Sequence, residues 1–484
     1  MEFEFVSNNT AIDGASRKRI RSRAARGRNV GKTLTRRSRT NAPSTGQIFR
    51  ASNSLESTGN EARETSASSS WIQQRACESL SIISLGFFPP SWPRYMGATN
   101  YLYRAVSFLS GLRYIRGLEN ALDYSTEPPS RWIQPMFSDE AYYHGAMAVS
   151  ITVLNKLCTH PEAPGAAVSH LCDTFRLVNS RLSGPDAVSD ENLAAVVILE
   201  MYERCRGQYR EGLVHLNGLQ RMTELRGGIF KLATSRPDVV QKILRSDLEH
   251  ALYLDTPTRF RAADIAALLR NNSIPTIPRR LGQARPHRTP PPPLPSLAPY
   301  LASVLSDATQ LSQLLHDTAT SKPPRPRVNC CDLHGTLFIL GYRLVQARSL
   351  PCPSATDRVV YAALAAFLLS FSVGSMGNWS LPPHLVAMAR LEARQTGDEP
   401  AAEGEMLLWM VFVCMATGVF DAEDEVWLVP RTVEILGALG LDVASGVGGW
   451  EGVAQRLEQF PWIDEMHGKK GRAYWNRVVN LAGC

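Results

Sequence analysis

Apolar residues beyond Trp71 recur at helical spacing. Tyr143, Met147, Ser150/Ile151, Leu154 and Leu157 mark one face at i, i+4, i+7 intervals, the period of an amphipathic helix. Ser138 followed by Asp139 and Glu140 supplies an N-cap and acids for the first turn, so a helix is predicted over about Asp139 to Cys158. Two further segments are apolar all round: Asn192 to Glu203, behind a Ser189 cap, and Glu405 to Phe420. Both are predicted to be helices buried among neighbours, with an effector pocket, if the chain has one, expected between them. The run from Val359 to Val373, interrupted by Ser370 and Ser372, falls short of the ~20 residues a membrane span needs and reads as a buried helix. Alternating segments, hairpin turns between β-branched runs and β-α-β alternation are lacking. The expected fold is all-α, an irregular multi-helix array behind a disordered basic N-terminal arm.

The same pattern divides the chain. Residues 1–70 are mainly Ser, Thr, Asn, Arg, Gly and Ala, too poor in large apolar side chains to offset the entropy of ordering. Phe3, Phe5 and Val6 are the exception there, and read either as a short docking motif or as a solvated terminus. Residues 71–273 are expected to form the front half of the helical body and 300–484 its back half. Between them, 274–299 carries Pro275, Pro278, Pro286, Pro290 to Pro293, Pro295 and Pro299 beside Arg279, Arg280, Arg285 and Arg288. Prolines at that density exclude helix and favour an exposed, extended spacer.

Charge sharpens the division. The net charge is +7, yet eleven cations lie between Arg17 and Arg39 with no acid among them, and removing them leaves about −4 for the rest. The basic, partner-seeking charge is therefore local to the arm. Nine scattered cysteines, an odd number mostly among apolar residues, read as free thiols of a reducing compartment. The opening Met-Glu-Phe-Glu-Phe-Val has acids where a signal peptide needs positive charge.

Catalytic chemistry is not indicated. Gly27-Arg28-Asn29-Val30-Gly31-Lys32-Thr33 is one residue short of a phosphate loop and lacks the strand–turn–helix frame. Cys330, Cys331 and His334 offer three donors without a second pair to close a tetrahedral metal site. Esterase elbow, zinc-protease and dinucleotide motifs are missing. His144, His170, His215, His250, His384 and His467 read as structural. The chain is expected to be non-enzymatic, without cofactor or metal.

One stretch carries a resemblance. Residues 211–228 read Glu-Gly-Leu-Val-His215-Leu216-Asn-Gly218-Leu219-Gln-Arg-Met-Thr-Glu-Leu225-Arg226-Gly227-Gly228. Leu216, Leu219, Met222 and Leu225 form an apolar stripe, Gly218 suits close helix approach and Gly227 suits a left-handed helix stop. This resembles the signature helix of the fungal-specific transcription factor domain, in which a His-Leu-x-Gly-Leu stretch leads to a Leu-Arg-Gly-Gly ending. Neighbours follow the family's order: the helix opened by Tyr143-His144, the buried helix near Ser189 to Tyr202, and far downstream Phe460-Pro461-Trp462-Ile463 before His467 and Trp475. Together they cover about Asp139 to Asn480. The arm is similar to that of a subgroup opening with Phe-x-Phe-Val and a basic Ile-Arg-Ser segment, here Phe3 to Val6 and Arg19 to Ser22. No cysteine precedes Cys77, so the six-cysteine zinc cluster of DNA-binding members is lacking.

The resemblance implies a nuclear transcriptional regulator working through protein partners, either a DNA-binding partner or a second copy, with no membrane association. Arg17, Lys18, Arg19, Arg21, Arg23, Arg26, Arg28, Arg36, Arg37 and Arg39 are the candidate import signal. Weak nonspecific DNA contact through the same cations and a mitochondrial presequence remain alternatives for the arm. A cytoplasmic helical interaction scaffold with a basic tether is the alternative for the whole chain.

Overall fold

The computed structural model describes residues 105–106, 109, 115, 117–124, 133–157, 164–270, 296–322, 325–349, 353–373, 381–395, 401–441 and 449–482. All belong to one unit, Ala62–Cys484. The basic arm and the proline-rich segment up to Pro295 lie outside the described residues. The expected all-α class is what the chain adopts: sixteen α-helices among the described residues and a single two-residue strand pair. No described helix is long and apolar enough to cross a membrane.

The first eight helices are α1 (Pro135–Ser138), α2 (Glu140–Leu157), α3 (Pro164–Leu182), α4 (Asp190–Cys205), α5 (Tyr209–Leu225), α6 (Ile229–Ser235), α7 (Pro237–Leu254) and α8 (Ala262–Arg270). Helix α2 starts as anticipated, but its cap is Asp139 instead of Ser138. The Asp139 carboxylate accepts the Tyr142 N–H at 2.7 Å and also binds Arg181 of α3. A carboxylate offers the helix N-terminus a full charge as well as an acceptor. Ser189 caps α4 as its position predicts, accepting the Asn192 N–H at 3.1 Å. From Asn192 to Leu199 every residue of α4 is buried.

The back half contains α9 (Pro299–Thr320), α10 (Cys330–Ala347), α11 (Ala355–Val373), α12 (Pro383–Arg394), α13 (Ala401–Thr417), α14 (Glu425–Ala438), α15 (Trp450–Leu457) and α16 (Asp464–Ala482). Helix α9 begins at Pro299, whose missing N–H costs nothing at a first-turn position. Helix α13 is buried without a break from Met406 to Ala416, and α11 from Val359 to Phe371.

These helices pack into three apolar clusters. One gathers α1 and α2 against α4, the second α3 to α8, and the third α9 to α16 with Ile115, Leu118, Ala121 and Leu122 from far upstream. The upstream segment is held by a parallel pair, β1 (Leu122–Asp123) on β2 (Val328–Asn329), in register Leu122 to Val328. Asn329 then turns to cap α10, accepting the Cys331 N–H at 2.8 Å.

Helix α10 joins the second cluster to the third because it is apolar on two sides. Leu333, Leu340, Leu344 and Ala347 face the third cluster, while Phe338, Tyr342 and Val345 face the second. Within the second cluster Tyr342 donates its hydroxyl to buried Asp247 of α7 at 2.9 Å. Between them Gly341 admits Leu248, whose Cδ2 lies 2.3 Å from where a β-carbon would stand.

Candidate functional site

The signature stretch is α5 and the turn that follows. Leu216, Leu219 and Met222 are buried as the stripe requires, the last two in the second cluster. Leu225 departs from it, 59% exposed on the far side of the last turn. His215 packs flat on Phe175 of α3, with ring centroids 5.9 Å apart, and burial lowers its pKa, holding the ring neutral. Gly218 does not mediate close approach, since a β-carbon there would meet nothing within 4 Å. The tight glycine is Gly212, one and a half turns earlier, where a β-carbon would sit 2.7 Å from Nε2 of His250.

The Leu-Arg-Gly-Gly ending has a full structural explanation. Gly227 stands at φ +91° and Gly228 at φ +92°, conformations that a side chain rarely tolerates. Gly228 N–H returns to Thr223 O and Gly227 N–H to Glu224 O, both at 2.9 Å, the paired bonds of a Schellman stop. Arg226 reaches back to the start of α4, donating to the Val188 carbonyl at 2.9 Å and Asp190 at 2.8 Å. Asp190 also holds Arg236, which grips Asp238 in the first turn of α7. Burial opposes the Asp190 charge, but Arg236 and Arg226 prevail and lower its pKa. Three helix ends are thereby locked together.

The downstream motif is likewise structural. Phe460 stacks on Trp409 of α13 with centroids 5.2 Å apart, and the Trp409 indole donates to the Pro461 carbonyl at 3.0 Å. Trp462 and Trp475 are buried in the third cluster. His467 accepts the Ile463 N–H at 3.1 Å and lies against the Trp462 ring at 5.1 Å. Complete burial, with Lys470 nearby, takes its pKa down to about 3.

Two polar arrangements were not foreseen from sequence. The first is a charge knot between α4 and α7. Arg204 donates Nε to Glu200 at 2.9 Å and a terminal nitrogen to Glu249; Glu249 also accepts Nε of Arg245 at 2.7 Å. Glu200 further accepts the Ser246 hydroxyl, and His250 Nδ1 stands 3.6 Å from it. Glu200 is fully buried and Arg204 and Glu249 nearly so. Burial works against the Glu249 charge, yet the two guanidiniums outweigh it and bring the carboxyl to about 2. The second is His144 of α2 against His170 of α3, Nδ1 to Nδ1 at 2.7 Å, with Asp173 4.0 Å and Glu140 3.9 Å from His144. Burial and the neighbouring His144 lower the His170 pKa to about 4. Glu140-x-x-x-His144 and His170-x-x-Asp173 each share a helix face, which was the available signal.

The charge knot backs onto a cleft of about 90 Å³ between α7, α10 and α11. Leu248 and Leu252 of α7, Leu337 and Phe338 of α10, and Leu368 and Phe371 of α11 form its apolar walls, with Lys242, Arg245, Glu249 and His334 as polar lining. This is not the expected position. Helices α4 and α13 belong to different clusters, and the cleft opens where α10 bridges the second and third. Cys330 Sγ lies 4.0 Å from His334 Nδ1. Cys205, Cys330 and Cys414 are buried, whereas Cys172 is exposed. No group of three or more His, Cys, Asp or Glu among the described residues is arranged to hold a metal ion. The ten candidate import residues, Arg17 to Arg39, lie outside the described residues.

No protein-family model matches the chain, nor does any curated protein or solved structure. The resemblance to the fungal-specific transcription factor domain rests on the residues named above.

Proposed function

We propose that this chain is a nuclear, non-enzymatic transcriptional regulator whose helical domain binds partners or a second copy, and that it reaches promoters through a DNA-binding partner or weakly through its basic arm. The observation that carries the reading is the turn from Leu225 to Gly228. Arg226, Gly227 and Gly228 of the resemblance each have a duty there, as two left-handed glycines and an arginine that clamps the turn to α4. In this reading Arg17 to Arg39 serve nuclear import, with weak salt-sensitive hold on phosphate as a second role.

The test fuses the full chain to a heterologous DNA-binding domain upstream of a reporter, and follows a fluorescent tag on the unfused chain. A nuclear tag that becomes cytoplasmic when the ten arm cations are changed to glutamine, with reporter output shifted severalfold either way, is the expected result. A cytoplasmic wild-type chain that leaves the reporter unchanged when forced into the nucleus would favour the scaffold with a basic tether.

A further inference from the structure

We propose that the cleft between α7, α10 and α11 is a binding site for a small monocarboxylate with a short apolar body. The argument starts at Arg245. Its Nε is fixed by Glu249 at 2.7 Å, and Glu249 is nearly fully buried and fixed in turn by Arg204. The guanidinium plane is therefore held from behind. Its two terminal nitrogens make no hydrogen bond among the described residues, and the side chain lines the cleft. A planar fork anchored at one end and open at the other is pre-organised for a carboxylate, because little rotamer entropy remains to be lost on binding.

Charge and size narrow the ligand. Behind the wall the positive charges of Arg204 and Arg245 balance Glu200 and Glu249, so the head group is selected by the open edge of the Arg245 fork, whose parallel N–H donors match a carboxylate better than an amide or a hydroxyl. Leu252 of α7, Phe338 of α10 and Leu368 and Phe371 of α11 present apolar surface to the cleft. A volume of about 90 Å³ is below the ~150 Å³ of an apolar cavity that takes benzene, so the enclosed part of the ligand is about three to five carbons. Because α7 and α10 share one apolar cluster and α11 belongs to the other, an occupant would touch both. Binding at the cleft does not depend on whether the chain acts on promoters.

The experiment is titration calorimetry of the full chain with hexanoate, hexanamide and hexanol at low ionic strength, repeated on Arg245→Gln, Arg245→Lys and Leu337→Phe. Leu337 is half-buried at the cleft, so the larger ring fills it without disturbing the fork. Hexanoate is expected to bind at least fivefold more tightly than the amide or alcohol. Arg245→Gln should abolish that preference, Arg245→Lys should restore part of it, and Leu337→Phe should weaken all three ligands together. Equal binding of all three by the wild type, or a hexanoate preference that survives Arg245→Gln, would overturn the assignment. So would an acidic-apolar peptide that binds the cleft where hexanoate does not. Each variant is titrated below the onset of its own thermal transition, so that lost binding is read on folded protein.

Discussion

Replacing Arg204 by methionine would remove the centre of the α4–α7 charge knot and leave its two carboxylates buried. Glu249 would keep Arg245 at 2.7 Å, while Glu200 would keep only the Ser246 hydroxyl and the neighbouring His250. Removing one partner of a buried ion pair costs about 3–5 kcal/mol, because the remaining charge has lost its compensation. Arg204 and Arg245 together give Glu249 a stabilisation of comparable size. Glu249 is brought from an ordinary 4.5 to about 2 in the fold, which corresponds to about 3 kcal/mol. Since the folded value lies below the unfolded one, that stability is present above pH 4.5 and is lost as pH falls towards 2. Urea denaturation of the full chain followed by circular dichroism should therefore show Arg204→Met destabilised by about 3–5 kcal/mol at pH 7. The deficit should shrink below pH 4.5. Adding Glu200→Gln should recover part of it by removing the stranded charge. A loss under about 1 kcal/mol at pH 7, or a double variant no better than the single one, would refute the view that Arg204 compensates both acids.

Other perturbations follow from particular contacts. Gly218→Ala should stabilise the chain by about 0.5–1 kcal/mol, since a β-carbon there meets open space in a helix, whereas Gly212→Ala should destabilise it by about 1–3 kcal/mol against His250; thermal denaturation would read both signs. Trp409→Phe keeps a ring against Phe460 but strands the Pro461 carbonyl, at a cost of about 1–3 kcal/mol in urea melts. His467, neutral in the fold with its pKa at about 3, contributes stability fully present above pH 6.5 and lost as pH falls towards 3, on the order of 5 kcal/mol. His467→Asn, which keeps an acceptor for Ile463, should flatten that part of an acid titration followed by circular dichroism.

How much of this could be read from the chain depends on the range of the forces involved. The Ser189 cap, the buried faces of α4 and α13 and the glycine stop at Gly227 are local, set by residues within a turn of each other, and they appear as read. Leu225 and Gly218 were assigned by periodicity alone, and periodicity does not say where the neighbouring helices end. Leu225 extends past them into solvent, and Gly218 faces no neighbour at all. Asp139 displaced Ser138 as the cap of α2 because its carboxylate also serves Arg181, forty-two residues away. The charge knot joins Glu200 and Arg204 to residues forty-five or so positions on, and the His144–His170 contact spans two helices. Such pairs come from helix packing, which leaves only a partial trace in sequence. The cleft was misplaced for the same reason. All-round apolarity marks helices that are thoroughly covered, while the opening lies beside α10, which divides its apolar faces between two clusters.

The most direct test of the regulator reading is chromatin occupancy of the tagged chain in its native cells, with and without residues 14–40, nuclear entry being restored by a fused import signal. Discrete promoter peaks that survive the deletion are the predicted result, since recruitment would then run through the helical domain and its partners. The absence of peaks in both forms, with both proteins nuclear, would contradict it.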